Sequence, residues 1–221
     1  MAGGLVAGVP ASAPHELRRE RLLELLHRHR ARPLILLVAP AGFGKSTLAA
    51  TYARDSGAGV AWVTLQASDR DSRRLFSRLA EAFEGAFAEA DTSAAAPGNG
   101  RLSELRDGLE AGAEGAGLAR LLLADLAHAP AGFILVLDDF HVVQDAEDVL
   151  QAVDALVRGL PDMGQLVITA REAPPLSMTR LVASDAVFGL GAEDLRFTAD
   201  ETRALREALG GDASHDAEAE G

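Results

Sequence analysis

Cysteine is absent from the sequence, and aromatic residues make up only 5% of its 221 residues. A chain without cysteine has neither a disulfide framework nor a cysteine-ligated metal site, so we expect a reducing, cytoplasmic compartment. No apolar run approaches the roughly 20 residues that span a bilayer. The first ten residues also lack the basic and apolar regions of a secretory signal. The sequence therefore predicts a soluble protein with a core built mainly from Leu, Val and Ala.

Basic residues are scarce as well. Lys and Arg together number 21 against 33 Asp and Glu, which gives a formal net charge of −12. Such a surface repels phosphate backbones and anionic lipids, so we expect no direct binding of nucleic acid or membrane. Lysine occurs once, at Lys45. A composition that otherwise uses arginine suggests that this position needs an ammonium rather than a guanidinium group.

Lys45 lies in a glycine-rich stretch between the apolar run Leu34 to Val38 and a helix-compatible segment that starts at Leu48. Strand, glycine loop and helix in this order are typical of a phosphate-binding P-loop, although a turn that binds nothing is an alternative. The pattern G-x-x-x-x-G-K-S/T has glycine where this chain has Ala39, so the match is looser than the full pattern. The candidate nucleotide-binding residues are Ala39, Pro40, Ala41, Gly42, Phe43, Gly44, Lys45, Ser46 and Thr47.

Residue types within this loop suit separate parts of a magnesium nucleotide. Gly42 and Gly44 allow successive N–H groups to turn toward an anion, and the following helix adds its unpaired first-turn donors. We expect Lys45 to reach the β- and γ-phosphates and the Ser46 hydroxyl to bind Mg²⁺. Thr47 would lie on the α-phosphate side.

A second informative stretch is the apolar run Phe133 to Leu137, which ends in Asp138 and Asp139. A continuous apolar run is typical of a central parallel strand, and ligands bind at the carboxyl ends of such strands. We expect Asp138 to hold Mg²⁺, directly or through water, as the Walker B aspartate. Asp139 would orient or deprotonate the attacking water. The alternative is that both aspartates cap the next segment. His141 is interpreted as a packing or loop histidine.

The arginines have alternative interpretations. Arg171 follows the apolar run Gln165 to Ala170, where a cation would sense or stabilise the γ-phosphate. It could instead pair with Glu172 or a surface aspartate. A first helix is predicted over 16–29. Either its arginines form a solvated face, or one of them edges the nucleotide site. The arginines of this helix are Arg18, Arg19, Arg21 and Arg28.

Apolar runs alternate with helical periodicity along the chain. Strands are predicted over 34–38, 60–65, 133–139, 165–170 and 186–190. Glycines near 112–117 are expected to divide the helical region 102–128 into two helices. The capping box from Thr198 to Glu201 is expected to start a helix that ends at Leu209. The predicted fold class is α/β: a doubly wound parallel sheet in a three-layer α/β/α P-loop NTPase.

Several of these stretches together resemble a known family. Residues 36–47, 60–65, 135–141, 166–171 and 194–198 are similar to the nucleotide-binding ATPase module of MalT-like regulators, the large LuxR-type transcriptional regulators of the STAND class. Alanine in place of the first P-loop glycine is typical of that group. Arg19-Glu20-Arg21 stands where the family usually has an R-P-R segment.

The resemblance implies a signal-transduction NTPase in which ATP or ADP sets an assembled active state or a monomeric resting state. It implies that Lys45, Ser46 and Thr47 hold the phosphates and Mg²⁺. Asp138 and Asp139 would be the Walker B pair, and Arg171 the sensor arginine. Implied partners are a second copy or other domains of a larger regulator.

Domain boundaries follow from composition together with this resemblance. We expect a flexible leader over 1–14, a P-loop NTPase domain over 15–197, the first helix of a truncated helical lid over 198–209 and a disordered acidic tail over 210–221. A mobile loop is expected over 89–100. The family's sensor and DNA-binding domains have no counterpart in these residues.

Three functions therefore stand as expectations. The first is a slowly hydrolysing ATPase that acts as a nucleotide-gated switch. The second is a binding-only module that holds ATP or ADP and works through protein contacts. The third is an ATPase of another P-loop branch, such as a chaperone-like AAA protein.

Overall fold

Five parallel strands carry the fold in a computed structural model that describes residues 8–12, 16–90, 102–129 and 131–208, without the side chains of 88–90. They are β1 (Leu34–Val38), β2 (Gly59–Thr64), β3 (Phe133–Asp138), β4 (Gly164–Ala170) and β5 (Val187–Leu190). Their order across the sheet is β2-β3-β4-β1-β5, and every neighbouring pair is parallel. The central strands β3, β4 and β1 are covered by helices on both faces. Their sequences are therefore nearly continuous apolar runs and do not alternate between apolar and polar residues.

Eight helices connect and flank these strands in the described residues. They are α1 (Glu20–Arg28), α2 (Lys45–Asp55), α3 (Ser72–Ala90), α4 (Ser103–Glu110), α5 (Gly115–Leu126), α6 (Glu147–Gly159), α7 (Met178–Ala183) and α8 (Ala199–Ala208). Short 3₁₀ turns follow β2 at Ala67–Arg70 and β3 at Phe140–Val142.

The helices pack on both faces of the sheet, and each face has its own apolar core. Alternate residues of each strand point to opposite faces of the sheet. Leu36 and Leu135 therefore join the core built with α3, α5 and α6, whereas Ile35 and Val136 join the core built with α1 and α2. The observed arrangement is a three-layer α/β/α sandwich, which confirms the predicted fold class.

Local signals in the sequence account for two helix boundaries. Gly112, with φ of +81°, follows the last residues of α4, and the Ala113 N–H donates to the Gly108 carbonyl at 2.8 Å. This pattern is a Schellman motif, which needs the left-handed backbone that glycine adopts readily. At α8 the Thr198 N–H donates to Glu201 and the Glu201 N–H donates to the Thr198 hydroxyl, so the capping box forms.

One predicted helix starts later than expected. The structure begins α1 at Glu20 rather than Glu16, because residues 16–19 are used in tertiary contacts. The Glu16 carboxylate accepts hydrogen bonds from Thr51 and Arg54 of α2, and Arg19 reaches the segment before α8.

Several predictions fall on residues outside the described ranges. They are the loop over 89–100 from residue 91 onward, the tail over 210–221 and most of the leader. Within the leader, the Pro10 carbonyl accepts a hydrogen bond from Arg54 at 2.7 Å. The domain boundaries stay predictions. None of the helices in the described ranges has the length and apolarity needed to cross a membrane.

Candidate functional site

The glycine-rich loop connects the carboxyl end of β1 to the first turn of α2. Gly42 and Gly44 have φ of +85° and +73°, in the left-handed region that disfavours other residues. No atom lies within 4 Å of the place where a Cβ on either glycine would stand. Backbone conformation, not crowding, therefore requires these glycines. The loop leaves an open concavity at a helix N-terminus, which is a favourable anion site.

Ala39 fits where the P-loop pattern has glycine. Its N–H donates to the Ala170 carbonyl at 3.2 Å, and its side chain is buried against the α1–α2 core. Its φ is not positive. The first pattern position thus continues the sheet hydrogen bonding of β1, and a methyl group is accommodated there.

Lys45 is the first residue of α2 and is buried. Its Nζ donates to the Pro40 carbonyl at 3.0 Å, across the loop. Burial lowers the Lys45 pKa, the charges of Asp139 and Asp138 oppose that effect, and Arg171 adds to it. An ammonium group has three donor hydrogens, so two remain for phosphate oxygens.

Ser46 and Asp138 meet although 92 residues separate them. The Ser46 hydroxyl donates to Asp138 Oδ1 at 2.7 Å, and the Thr169 hydroxyl donates to the same oxygen at 2.6 Å. Asp138 is only 4% exposed. A hydroxyl and a carboxylate oxygen this close are hard oxygen ligands of the type that Mg²⁺ prefers. The donor set therefore fits a magnesium ion held by Ser46 and Asp138.

Asp139 starts the 3₁₀ turn after β3 in a left-handed conformation, with φ of 59°. Its N–H donates to the Thr169 hydroxyl at 3.0 Å, which fixes this backbone. Its side chain is 45% exposed and stands apart from the buried Asp138. The structure thus gives the two adjacent carboxylates different surroundings: one is buried and hydrogen-bonded, and the other is available to solvent.

His141, which the sequence predicts as a packing or loop histidine, lies in the 3₁₀ turn after β3 and close to Asp139. Its Nδ1 lies 3.7 Å from Asp139 Oδ1, and within the described residues this buried nitrogen makes no hydrogen bond. Burial is the main cause that lowers its pKa, and the charge of Arg171 acts in the same direction. A neutral imidazole is therefore favoured beside Asp139. The sequence contains one signal for this position of His141, which is a polar residue two places after the paired aspartates.

Arg171 follows β4 directly and is exposed. It makes no ion pair with Glu172 or another acid in the described ranges, so the surface-pair alternative finds no support there. Its charge lowers the pKa of His141 and of Lys45, after the larger effect of burial in each case. Because β1, β3 and β4 are parallel, Arg171 lies at the same carboxyl edge of the sheet as the loop and Asp139.

A cavity of about 290 Å³ opens beside the glycine loop, at the small end of the range for ligand clefts. Gly44, Ser46 and Thr47 form its edge nearest the loop. The part of the cavity farther from the loop has a mainly apolar wall. This wall includes Ala50 of α2 together with Leu17, Leu23, Phe197 and Leu205. An extended ligand with its phosphates on the loop would place its remaining part in this cavity.

Arg19 is buried in the cavity wall rather than solvated. It donates to the carbonyls of Leu195 and Arg196 at 3.0 and 2.9 Å and to the Glu201 carboxylate at 3.1 Å. Its guanidinium carbon lies 4.4 Å from the centre of the Phe197 ring. One arginine of the predicted first helix therefore lines this cavity. The helical spacing of the arginines in the sequence does not predict these partners of Arg19, because they lie 176 to 182 residues away.

Comparison with known proteins gives relatives among bacterial regulators. The chain is 31% identical over 193 residues to the HTH-type transcriptional regulator MalT of Vibrio cholerae, and 29% identical over 194 residues to MalT of Vibrio parahaemolyticus. Each alignment covers 87% of this chain and 20% of the relative. The chain thus spans about a fifth of the length of these curated relatives.

Solved structures give the same fold. A STAND protein with a tetratricopeptide repeat sensor from Pyrococcus horikoshii matches with a TM-score of 0.56 and 22% identity, over 93% of this chain and 26% of that chain. A Walker-type ATPase of Pyrococcus abyssi matches with a TM-score of 0.55 and 11% identity, over 89% of this chain and 59% of that chain. At these identities the likeness concerns the fold alone.

A family model provides the assignment. The model described as the AAA ATPase domain matches residues 16–169, well over half of the 221 residues. The match includes the glycine loop, both aspartates and Thr169. The MalT relatives extend the similarity beyond α7 and agree with the resemblance to a MalT-like nucleotide-binding module. The chain therefore belongs to the AAA ATPase domain family.

Proposed function

We propose that the chain binds ATP and ADP with Mg²⁺, hydrolyses ATP slowly and acts as a nucleotide-gated switch within a MalT-like regulator. The contact between Ser46 and Asp138 carries the proposal, because it joins the loop hydroxyl to the strand-end carboxylate at 2.7 Å. Such a pairing of a P-loop serine with a Walker B aspartate is the arrangement that holds Mg²⁺ in P-loop NTPases.

The phosphate end of the site would be formed by the loop and Lys45. Left-handed Gly42 and Gly44 open the backbone toward an anion, and the Lys45 ammonium is held nearby by the Pro40 carbonyl. Mg²⁺, when bound, would neutralise phosphate charge during transfer. Lys45 would add a fixed positive charge whose burial strengthens its interaction with phosphate.

Hydrolysis would depend on Asp139. Its carboxylate is solvent-accessible, so it can orient a water molecule or take its proton. The His141 Nδ1, which lies 3.7 Å from Asp139 Oδ1, would need to move closer to hydrogen-bond that carboxylate. Arg171 would stabilise negative charge developing on the γ-phosphate. Because Asp139 is 45% exposed, water is not excluded from the site, which supports slow turnover.

The switch function rests on the relatives and on the cavity. The MalT relatives are HTH-type transcriptional regulators, and this chain covers a fifth of their length. A module of this kind would pass its nucleotide state to other domains or to a second copy. The cavity wall contributed by Phe197 and Leu205 gives a route for this transfer, because these residues adjoin α8 or lie on it.

Calorimetric titration of the 221-residue chain with MgATP and MgADP tests the proposal, followed by measurement of phosphate release. We expect binding by the wild type, loss of at least tenfold in affinity in Lys45→Ala and slow release of phosphate from ATP. Arg203→Met is the matched control, because Arg203 is exposed and, among the residues that the structure describes, pairs with Asp200 alone. Equal affinities for wild type and Lys45→Ala would refute the site. Binding without phosphate release would favour the binding-only module.

A further inference from the structure

The 3₁₀ turn after β3 begins at Asp139, whose backbone conformation is uncommon. Asp139 has φ of 59°, in the left-handed region that residues other than glycine rarely adopt. Its N–H donates to the Thr169 hydroxyl at 3.0 Å, and its carbonyl accepts the Val142 N–H at 3.0 Å. Such a conformation persists where neighbouring groups hold it. The contacts of this turn therefore set the direction of the Asp139 carboxylate.

Arg70 contacts this turn from outside it. Arg70 ends the 3₁₀ turn after β2, and β2 and β3 are neighbouring parallel strands, so the two turns lie side by side at the carboxyl edge of the sheet. The Arg70 Nε donates to the Val142 carbonyl at 3.2 Å, and its Nη2 donates to Asp145 at 2.7 Å. The planar fork of donors suits two acceptors in different directions. Arg70 thus holds the same peptide segment that closes the turn on the Asp139 carbonyl.

The turn that carries Arg70 is itself firmly fixed. Asp69 has no exposed surface, and its carboxylate accepts hydrogen bonds from the Gln66 N–H at 2.8 Å and from Arg78. Arg78 also donates to the Thr64 carbonyl, at the end of β2, at 3.1 Å. Arg70 therefore reaches from an anchored turn to the turn that begins at Asp139.

The exposure of this contact separates its effect on stability from its effect on geometry. The side chains of Arg70 and Asp145 are 52% and 64% exposed, and ion pairs in water contribute little to stability because solvent screens them. Reaction rates respond more steeply, since a displacement of about 1 Å in a reacting group can slow a reaction by about 100-fold. Loss of Arg70 should therefore be visible in catalysis before it is visible in unfolding.

We propose that Arg70 is a positioning residue for ATP hydrolysis, which holds the turn after β3 so that the Asp139 carboxylate faces the attacking water. The inference rests on the proposed function, since it requires Asp139 to act on that water. The residues assigned to nucleotide and Mg²⁺ binding do not include Arg70. Its loss should therefore slow turnover and leave nucleotide affinity unchanged.

The decisive experiment measures affinity and turnover separately in Arg70→Met of the 221-residue chain. Calorimetry gives the affinity for MgATP and MgADP, and phosphate release with protein in excess over MgATP gives the rate of a single turnover. We expect both affinities within about twofold of the wild type and phosphate release slowed by about tenfold. Arg106→Met is the matched control, because Arg106 is also 52% exposed and its ion pair with Glu84 joins α4 to α3. It should release phosphate at the wild-type rate.

Two conservative variants grade the effect. Asp145→Asn removes the ion pair and leaves the contact between Arg70 and the Val142 carbonyl, so it should slow phosphate release less than Arg70→Met does. Arg70→Lys keeps a charged donor without the planar fork and should restore part of the rate. A role in stability alone would lower the urea midpoint of unfolding and leave the rate per folded molecule unchanged.

Hydrogen exchange gives a measurement that does not depend on activity. Arg70→Met should exchange the amides of 139–143 faster than the wild type and those of α3 at the same rate, because only the turn loses a contact. Arg106→Met should leave exchange over 139–143 unchanged.

The outcomes separate this inference from the proposed function. Wild-type phosphate release by Arg70→Met, unchanged exchange over 139–143, or equal slowing in Arg106→Met would overturn the inference alone. If Arg70→Met does not fold, a wild-type rate in Asp145→Asn overturns it in the same way, and a reduced rate at unchanged affinity supports it. If the wild type itself neither binds MgATP nor releases phosphate, the proposed function fails and this inference fails with it.

Discussion

Replacing Thr169 by valine removes two hydrogen bonds from the centre of the site and keeps the side-chain volume. The Thr169 hydroxyl donates to the Asp138 carboxylate at 2.6 Å and accepts from the Asp139 N–H at 3.0 Å. Thr169 has no exposed surface, and Asp138 is only 4% exposed. Water therefore has little access to replace either bond, so Thr169→Val should leave Asp138 with one hydrogen-bond donor fewer.

The expected loss of stability can be worked from these two bonds. A hydrogen bond to a charged group contributes roughly 1.5–3 kcal/mol and a neutral one about 1 kcal/mol. The extra buried methyl of valine returns about 0.8 kcal/mol. The free energy of unfolding of Thr169→Val should therefore fall by about 2–3 kcal/mol, which is large against a total of roughly 5–15 kcal/mol.

Urea unfolding measures this change directly, and Thr169→Ser is the matched control. Serine keeps the hydroxyl and loses one buried methyl, a change of about 1 kcal/mol. We expect the unfolding midpoint to fall further for valine than for serine, with unchanged dependence on urea. A Thr169→Val protein as stable as the wild type would refute the reasoning, because the bonds to Asp138 and Asp139 would then contribute no more than the roughly 0.8 kcal/mol that the added methyl returns.

Two further predictions concern catalysis. Asp139→Asn keeps the size of the side chain and removes its basicity, so MgATP affinity measured by calorimetry should persist while phosphate release falls by about 100-fold; an equally active variant would assign the base elsewhere. The His141 nitrogen that lies 3.7 Å from Asp139 Oδ1 is Nδ1. His141→Asn retains a hydrogen-bonding atom near the position of Nδ1, whereas the side chain of His141→Gln extends past that position. Asparagine should therefore preserve more phosphate release than glutamine at equal ADP affinity, and the reverse order would exclude a contact through Nδ1.

The phosphate end of the site could be predicted because its information is local. One continuous segment supplies β1, the glycine loop and α2, and the apolar run of β3 leads directly into Asp138. Buried parallel strands have a recognisable sequence, and their carboxyl ends lie at one edge of the sheet. Those two rules together place Ser46 and Asp138 at the same edge of the sheet, and the strand order, with only β4 between β3 and β1, brings them into contact.

The remaining contacts could not be predicted because they depend on pairs that are distant in sequence. Thr169 was visible only as part of an apolar run, and its bond to Asp138 follows from the adjacency of β3 and β4. Arg19 had the same helical spacing as its solvated neighbours. Its partner Glu201 lies 182 residues away and is itself explained locally by the capping box. Helical spacing cannot distinguish a buried arginine from an exposed one when the residue lies at the helix start.

This division between local and distant contacts has a consequence for a nucleotide switch. The phosphate loop is fixed by the sheet and α2, so movement of α8 need not disturb Lys45 or Ser46. The apolar cavity wall at Phe197 and Leu205 is held by the contact between Arg19 and Glu201, so displacement of α8 would open that wall alone. If a nucleotide extends from the loop into this cavity, as proposed above, a protein contact that competes for α8 would lower the nucleotide's affinity for the chain. By thermodynamic reciprocity, bound nucleotide would oppose that contact by the same factor, and this coupling is what a nucleotide-gated switch requires.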